Sequence, residues 1–556
     1  MADSIKVICD NLGGPIRVAM GTPLSDVAAR LTPGRYPFLA AFVNNRIKEL
    51  NYKIYTPVTV RFVDITDFAG IRVYQRTSWF ILQKAARTLF PGHTLHIRHS
   101  MGQSGFYCEL EGLDEFTHEQ AAALEGHMRE VVAQNLPIER TKVLTSELRA
   151  IYAEQGFDDK TALLDTRPRL YSDLYTLDGT AGYFYGALAP STGYIDRFCI
   201  EPYYKGFYLA LPLRTNPGVL NKNVQQEKMF GIFQEYQSWV RIMGVPTVGD
   251  VNSKVLAGDA GGMIKLAEAF HERKFAWVAD TIYDANLSRG VRIVLISGPS
   301  SSGKTTSAKR LGIQLGVLGL KPVLISLDDY FVDREKTPKD ADGEYDYEAL
   351  EAIDLELFND HLRRLMRGES VDIPRYNFIT GRRMQHNDPL TLDERSILIV
   401  EGIHGLNPRL TPGVPEEQKF RIYISCFTSV AMDNLSRIAT TDNRLLRRMV
   451  RDNATRGHNA QATLARWESV RRGEEKHIFP YQENADVMFN SSLFYEISVL
   501  RPYAERILRE VPDTVPEYGE AKRLLKFLDN FIPIDPAEIP PTSLLREFIG
   551  GSSFRY

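Results

Sequence analysis

The sequence has few cysteines and no long hydrophobic run. Four cysteines occur in 556 residues, at positions 9, 108, 199 and 426, and no two of them have the spacing of a metal site or a redox pair. A disulfide framework is therefore not expected, and the thiols fit a reducing compartment. No apolar stretch approaches the ~20 residues that cross a bilayer, and MADSIKVICDNLGG lacks the basic and apolar parts of a secretory signal. These absences predict a cytoplasmic protein without a membrane span.

The sequence also lacks an excess of one charge. The formal net charge is −3 and the pI is near 6.5, so the chain as a whole has no electrostatic attraction to nucleic acid or to membranes. Its hydrophobic content of 44% and charged content of 25% are ordinary for a globular protein. A chain of 556 residues is too long for one core, and we expect two to four domains.

A phosphate-binding loop is the strongest motif. The stretch GPSSSGKTT follows GVRIVLIS, which is typical of a buried parallel strand, and precedes a run with leucines at helical spacing. Strand, G-x-x-x-x-G-K-[ST] loop and helix together predict a nucleotide phosphate site, because backbone N–H groups at the helix start point at the phosphates. Lys304 would reach the β and γ oxygens and Thr305 would hold Mg²⁺. The predicted ATP-binding residues of this loop are Gly298, Ser300, Ser301, Ser302, Gly303, Lys304, Thr305 and Thr306.

Carboxylates follow two further predicted strands. KPVLIS (321–326) leads into LDDYF, which carries Asp328 and Asp329, and RSILIVEG (395–402) delivers Glu401. The carboxyl ends of parallel strands form the ligand-binding edge of such a sheet. A carboxylate there can accept a proton from an attacking hydroxyl, as in a kinase, or from water, as in an NTPase. Glu401 is suited to organising Mg²⁺ through water.

The order of further motifs resembles the uridine kinase and phosphoribulokinase family. After the phosphate loop come SLDDYF, YDYEALEAID, IPRYNF, IVEGIHGL, LRRMVRDNATRGH and NADVMFNSS, in the family's order and spacing. The resemblance covers roughly residues 290–510. It implies an α/β P-loop kinase domain with a parallel sheet, which uses ATP and Mg²⁺ to phosphorylate the 5′-hydroxyl of a nucleoside.

The resemblance assigns roles to individual residues. Asp328 takes the place of the family's catalytic base, and Asp329 is the alternative if the register is shifted by one. Asp346, in EYDYEA, matches the acid that holds the ribose hydroxyls. Tyr376 matches an aromatic residue of the base pocket. Phe378 and Arg383 complete the predicted substrate site.

Arginines of LRRMVRDNATRGH match the family's mobile lid. Arg448 and Arg451, with Lys304, would stabilise the transferring phosphoryl group, and Arg456 would contact ATP. Arg444, Arg447, Arg448 and Arg451 lie three and four residues apart and therefore share one helical face. A solvated basic helix face is the alternative interpretation.

Three positions depart from the uridine kinase pattern. Gly381 stands where uridine and cytidine kinases carry a histidine that reads the pyrimidine edge, His458 replaces the last lid arginine, and Arg466 replaces a glutamine. A base-reading hydrogen bond gives strong discrimination, because its loss leaves buried polar groups unpaired. The base therefore stays open among uridine or cytidine, thymidine, a purine nucleoside and a nonstandard nucleoside.

The first half resembles parts of threonyl-tRNA synthetases. Residues 1–65 resemble the β-grasp TGS domain, and 66–210 resemble the α+β second domain, which edits mischarged tRNA through H-x-x-x-H and C-x-x-x-H pairs. Those positions here are Gln75, Trp79, Phe184 and Leu188, so we expect the scaffold without its editing chemistry. His93, His96 and His99 alternate faces along a predicted loop and strand, which does not favour a zinc site.

The remaining segments complete the predicted organisation. Residues 211–289 form a helical connector, 290–510 the kinase domain and 511–556 an extension that covers another domain or a partner. The expected partner is a nucleoside substrate, neither membrane nor nucleic acid is expected, and a homo-oligomer is compatible with the sequence. Two alternatives stay open: an RNA-binding regulator whose P-loop domain is a nucleotide switch, and a kinase acting on a sugar phosphate.

Overall fold

The computed structural model describes residues 4–31, 34–222, 225–340, 343–384 and 389–556. The predicted α/β class is confirmed, and the parallel sheet of the phosphate-loop domain is present. Within the described residues, no helix is both long enough and apolar enough to cross a membrane.

The first segment is a small mixed sheet crossed by one short helix. Its five main strands are arranged in the order β2-β1-β7-β4-β5, with β1 and β7 parallel. The predicted Asn-Asn turn joins β4 to β5, and both residues adopt the left-handed conformation of a tight hairpin turn (Asn44 φ 46°, Asn45 φ 61°). The elements are β1 (Ser4–Cys9), β2 (Gly14–Ala19), β3 (Thr22–Pro23), α1 (Leu24–Ala28), β4 (Ala40–Val43), β5 (Arg46–Glu49), β6 (Lys53–Ile54) and β7 (Val58–Val63).

The second segment packs helices against an antiparallel sheet with the order β13-β14-β9-β8. Its long first helix, α2, is buried along much of its length and contributes Phe80, Ile81 and Leu82 to the core. The elements are α2 (Phe68–Leu89), β8 (Leu95–Met101), β9 (Gly105–Leu110), α3 (His118–Ala133), β10 (Glu139–Leu144), α4 (Thr145–Glu154), α5 (Asp158–Asp165), β11 (Tyr171–Leu177), β12 (Thr180–Gly182), β13 (Cys199–Tyr203), β14 (Gly206–Ala210), β15 (Pro212–Leu213) and β16 (Asn216–Leu220).

Three helices lie between the two halves: α6 (Glu227–Ile242), α7 (Val248–Leu256) and α8 (Ala260–Arg289). Met229, Phe230 and Phe233 are buried, as expected for packing residues. Helix α8 contributes Phe275 and Ile282 to the hydrophobic core beneath the parallel sheet that carries the phosphate loop. This helix is therefore part of the core of the phosphate-loop domain and not only a connector.

The phosphate-loop domain is built on a five-stranded parallel sheet with the order β18-β23-β17-β24-β25. Strands β17 and β23 are buried along their whole length, as expected for a sheet covered on both faces. The elements are β17 (Ile293–Ser297), α9 (Lys304–Val317), β18 (Lys321–Ser326), α10 (Leu355–Met366), β19 (Val371–Asp372), β20 (Arg375–Asn377), β21 (Arg382–Met384), β22 (Pro389–Leu390), β23 (Ser396–Glu401), β24 (Lys419–Ser425), α11 (Thr440–Thr455), α12 (Ala460–His477), β25 (Val487–Asn490), α13 (Glu496–Arg509), α14 (Tyr518–Leu528) and α15 (Arg546–Ile549).

The loop between β24 and α11 is anchored in the second segment. Lys160 and Asp433 form a buried ion pair (2.9 Å), and the Ile97 N–H donates to the Asn434 carbonyl (2.8 Å). Leu435 lies in the hydrophobic core of the second segment. The synthetase-like half therefore holds the chain just before the predicted lid helix.

Candidate active site

The phosphate loop has the conformation that the sequence predicts. It joins β17 to α9, and Ser301 (φ 60°) and Gly303 (φ 84°) adopt left-handed backbone conformations. A Cβ on Gly298 would lie 1.9 Å from the Ile424 carbonyl oxygen, so only glycine fits there. The Lys304 ammonium folds back on the Pro299 carbonyl (3.2 Å). Loop and helix start together form an anion site.

Glu401 lies beside this loop at the end of β23. Its Oε1 accepts hydrogen bonds from Thr305 Oγ1 and Ser326 Oγ, each at 3.0 Å. Burial and the charge of Asp328 raise the pKa of Glu401 to about 7, although the charge of Lys304 acts in the opposite direction and lowers it. The hydroxyl and carboxylate predicted to hold Mg²⁺ are thus in contact, and these oxygen donors fit a hard cation. Among the described residues, no group of three or more His, Cys, Asp and Glu side chains forms a protein-only metal site.

The two neighbouring aspartates act on different groups. Asp329 Oδ1 accepts the Tyr376 N–H (3.2 Å), and its Oδ2 lies 3.8 Å from Arg375, so this carboxylate positions β20. The charge of Asp328 instead acts on Glu401 and raises the pKa of that carboxyl. Asp328 is therefore close enough to Glu401 for its charge to act on that carboxyl, and its role as the catalytic base stays a prediction.

Glu348 is a candidate site residue that the sequence analysis missed. Its Oε2 is shielded from solvent and has no hydrogen-bond partner among the described residues. Burial and Glu474 raise the pKa of Glu348 to about 7, and the charges of Arg448 and Lys304 lower it. Glu348 packs against Gly473 of α12, next to Glu474, which accepts the Ser300 N–H of the phosphate loop (3.2 Å). The acidic pair in YDYEALEAID was the available signal.

Asp346, the residue predicted to bind ribose, has other partners. Its Oδ1 accepts the Glu348 N–H (3.1 Å), and its Oδ2 lies 3.9 Å from His477 Nε2. The contacts of Asp346 thus shape the turn that presents Glu348. Its direct role toward a sugar stays a prediction.

Aromatic side chains form a cluster beside Asp328. Tyr376 meets Phe378 edge-on at 5.2 Å between ring centroids and Phe331 at 5.5 Å, and its hydroxyl is buried without a partner among the described residues. Tyr376 and Phe378 therefore lie together, and their role in substrate binding stays a prediction. Arg383 donates to Asp354 at the start of α10 (2.9 Å), a contact that braces β21 and does not place the guanidinium on the cluster.

The predicted lid arginines converge on one carboxylate that the sequence analysis did not single out. Asp452 lies 3.3 Å from Arg448, 3.1 Å from Arg451 and 3.5 Å from Arg456. Arg448 also donates to Ser300 Oγ in the phosphate loop (3.0 Å), and the Arg456 guanidinium lies 5.3 Å from the centre of the Phe378 ring. The lid helix α11 is thus placed against both the phosphate loop and the aromatic cluster.

Two arginines of the same predicted face have a structural position instead. Arg444 is fully buried against Glu474 and donates to the Ser300 carbonyl (3.2 Å). Arg447 is fully buried against Glu496 and donates to the Ser491 carbonyl (2.8 Å). Burial of both pairs excludes the solvated basic face for these residues.

Two of the positions that depart from the uridine kinase pattern, His458 and Arg466, have exposed side chains. His458 is exposed just after α11, and the Arg466 guanidinium lies 5.9 Å from the centre of the Tyr347 ring. Arg466 thus contacts an aromatic residue that borders the predicted base pocket.

The former editing positions are filled by apolar packing. Trp79 meets Phe106 edge-on at 5.1 Å, Phe184 packs on Phe80 at 5.3 Å, and Leu188 is buried. Gln75 is half-buried on α2. Three of these four positions thus carry packed apolar side chains in place of polar ones.

The three histidines of GHTLHIRHS have different surroundings. His93 bonds the Glu111 carbonyl (2.8 Å), His96 bonds the Glu111 carboxylate (2.9 Å), and His99 stacks on Phe233 at 4.0 Å between ring centroids. Burial lowers the pKa of His96 to about 4. His93 and His96 thus share Glu111 as a hydrogen-bond partner, while His99 packs elsewhere.

This chain is similar to two kinds of known protein, each over a different region. Residues 293–497 match the model of the Phosphoribulokinase / Uridine kinase family, so this region is a domain of that family. The uridine kinase of Borrelia duttonii is 29% identical over 36% of this chain and 85% of its own, and that of Halobacterium salinarum is 26% identical over 35% and 77%.

The N-terminal region is similar to threonine–tRNA ligases. Threonine–tRNA ligase 1 of Bacillus subtilis is 28% identical over 36% of this chain, which spans only 31% of that protein's length. Among solved structures, a possible uridine kinase from Bacillus stearothermophilus is 21% identical over 39% of this chain and 98% of its own, with a TM-score of 0.27.

Proposed function

We propose that the protein is an ATP-dependent kinase that transfers the γ-phosphate to the 5′-hydroxyl of a nucleoside. The observation that carries the proposal is the Glu348 carboxylate, which packs against Gly473 of α12 and whose Oε2 is buried without a hydrogen-bond partner among the described residues. It accompanies a phosphate loop that contacts Arg448 and Glu401, in a region that matches the uridine kinase family. A nucleotide switch needs the loop and the metal ligands but has no use for an acid whose Oε2 is left without a hydrogen-bond partner among the described residues.

The residues divide the chemistry among themselves. The acceptor hydroxyl gives its proton to Asp328 while its oxygen bonds to the γ-phosphorus, and the bond from that phosphorus to the β-γ bridging oxygen breaks to leave ADP. Lys304 and Arg448 stabilise the negative charge of the phosphoryl oxygens. Thr305 and Glu401 would hold Mg²⁺, which neutralises phosphate charge when bound.

The acceptor site is assigned to two neighbouring features. The free Oε2 of Glu348 can accept hydrogen bonds from sugar hydroxyls, and no described protein group competes for it. The Tyr376–Phe378 cluster offers flat apolar surface for a base. An acid for the sugar and aromatic rings for the base together favour a nucleoside over a sugar phosphate.

The test is phosphate transfer from ATP and Mg²⁺ to a panel of ribo- and deoxyribonucleosides. We expect one or a few of them to yield a nucleoside 5′-monophosphate and a stoichiometric amount of ADP. Transfer to ribulose 5-phosphate but to no nucleoside would overturn the acceptor assignment. ATP binding without transfer to any acceptor, together with salt-dependent tRNA binding, would replace the kinase by the RNA-linked switch.

A further inference from the structure

The space beside Gly381 is filled by an arginine from another loop. A Cβ on Gly381 would lie 2.6 Å from Arg334 Nε and 2.7 Å from its Cζ. The two residues are also tied through the backbone, because the Arg334 N–H donates to the Gly381 carbonyl (2.9 Å). Where this chain lacks a histidine side chain, it therefore has a guanidinium.

Arg334 is clamped at the edge of the aromatic cluster. Its Nε donates to Tyr347 Oη (3.2 Å) and its Nη2 to the Phe378 carbonyl (2.9 Å). Tyr347 packs edge-on against Phe331, and Phe378 packs against Tyr376. These two bonds use two of the five N–H groups of a guanidinium, so three donors and no acceptor remain for a ligand.

We propose that Arg334 selects the base of the acceptor nucleoside, an inference that rests on the proposed kinase function. A donor-only fork matches two adjacent acceptor atoms, such as O6 and N7 of a 6-oxopurine or O2 and N3 of cytosine. Uracil and thymine separate their carbonyls by an N–H, and adenine places an amino donor beside N7. The expected substrates are therefore guanosine, inosine or cytidine, in preference to uridine, thymidine and adenosine.

The test compares Arg334→Met with the matched control Arg382→Met. Arg382 lies on β21 with an exposed side chain, 3.9 Å from Glu335. We expect Arg334→Met to lower kcat/KM for the preferred nucleoside about tenfold to a hundredfold, through KM, while KM for ATP is unchanged. Arg334→Lys keeps the charge but not the fork, so it should not restore the preference. Arg382→Met should behave as the wild type.

Calorimetric binding of the nucleosides without ATP separates this inference from the proposed function. Selective binding that Arg334→Met abolishes supports the inference even if no transfer is seen. Preference for uridine, thymidine or adenosine, or an unchanged ranking in Arg334→Met, overturns it. Binding of no nucleoside overturns the inference as well. Phosphate transfer without the expected ranking of nucleosides supports the proposed kinase function and overturns only the role of Arg334 in base selection.

An independent observation concerns segment 543–556, which lies on the helix after the phosphate loop. The Thr306 hydroxyl bonds both the Glu547 carboxylate (2.6 Å) and the Tyr556 hydroxyl (2.8 Å). Lys309 lies 4.9 Å from the centre of the Tyr556 ring, and Arg451 lies 3.8 Å from Glu547. A carboxylate thus sits between the first turn of α9 and a lid arginine, where a nucleotide phosphate would need the same partners.

We infer that Glu547 occupies the nucleotide site as a stand-in anion and that nucleotide must displace segment 543–556. This inference depends on the phosphate loop binding nucleotide and not on the acceptor. Two anions at one helix N-terminus repel each other, while either alone is stabilised there. Binding of ATP or ADP is therefore weaker than the loop alone would allow.

The test is the Kd of Mg-ADP for Glu547→Gln and Tyr556→Phe, with Glu538→Gln as the control. Glu538 precedes the contact and pairs with the exposed Lys265 (2.9 Å). We expect Glu547→Gln to bind about threefold to tenfold more tightly, Tyr556→Phe to bind slightly more tightly, and the control to be unchanged. Weaker or unchanged binding by a folded Glu547→Gln protein, with an unaltered melting temperature, would overturn the inference.

Discussion

Asp328→Asn lowers kcat for phosphate transfer by about 10²- to 10⁴-fold, which is the contribution that a positioned general base makes. Asparagine keeps the size of the side chain but cannot take the proton of the acceptor hydroxyl. KM for ATP should change little, because the phosphates are held by the loop and not by this residue. The measurement is steady-state kinetics with the preferred nucleoside.

The neighbouring carboxylate supplies the matched control. Asp329 accepts the Tyr376 N–H and lies near Arg375, so Asp329→Asn perturbs the support of β20. Its effect should fall on KM for the nucleoside or on stability, with kcat retained within a few-fold. If Asp329→Asn lost kcat and Asp328→Asn did not, the assignment of the base would be wrong by one residue.

The phosphate loop and its sheet could be predicted because their signals are local. Glycine-rich loop, buried strand and amphipathic helix follow one another within about thirty residues, and the structure places Glu401 against Thr305 as the strand ends imply. The Asn44–Asn45 hairpin could be predicted for the same reason, since the turn is specified by its own two residues.

The division of labour among the arginines could not be predicted from spacing. Arg444, Arg447 and Arg448 share a helical face, but the first two meet buried glutamates of α12 and α13 while the third reaches Ser300. Helical periodicity states which residues are neighbours, and it does not state which distant carboxylate each of them meets. Spacing also cannot show whether Asp346 or Glu348 binds a ligand. Only the packing of α12 against the turn shows that Glu348, and not Asp346, has a buried oxygen without a hydrogen-bond partner among the described residues.

The contacts made by Arg334 and Glu547 lie still further beyond local patterns. Gly381 could be recognised as a departure, but the side chain that fills its place comes from a loop 47 positions earlier. Glu547 meets Thr306 across 241 positions. Such contacts are set by tertiary packing. The sequence showed that Gly381 is unusual, but only the structure shows which distant side chains contact Gly381 and Thr306.

Glu474→Gln is expected to destabilise the protein by about 3–5 kcal/mol, because it leaves the buried Arg444 charge without its counter-ion. Both side chains are almost fully buried, and Glu474 also accepts the Ser300 N–H (3.2 Å), so the phosphate loop should loosen as well. Urea unfolding followed by circular dichroism measures the change.

The control for this prediction lies on the same helix. Glu468→Gln removes an exposed pair with Arg472 at i, i+4, and its expected cost is about 0.3–0.5 kcal/mol. A similar small cost for both variants would show that water reaches the Arg444–Glu474 pair. A large cost for Glu474→Gln alone, with weaker ADP binding, would show that the lid helix stabilises the fold through Arg444 and leaves Arg448 for the phosphate. Structural and functional arginines would then share one helical face, which explains why this basic helix is buried and not solvated.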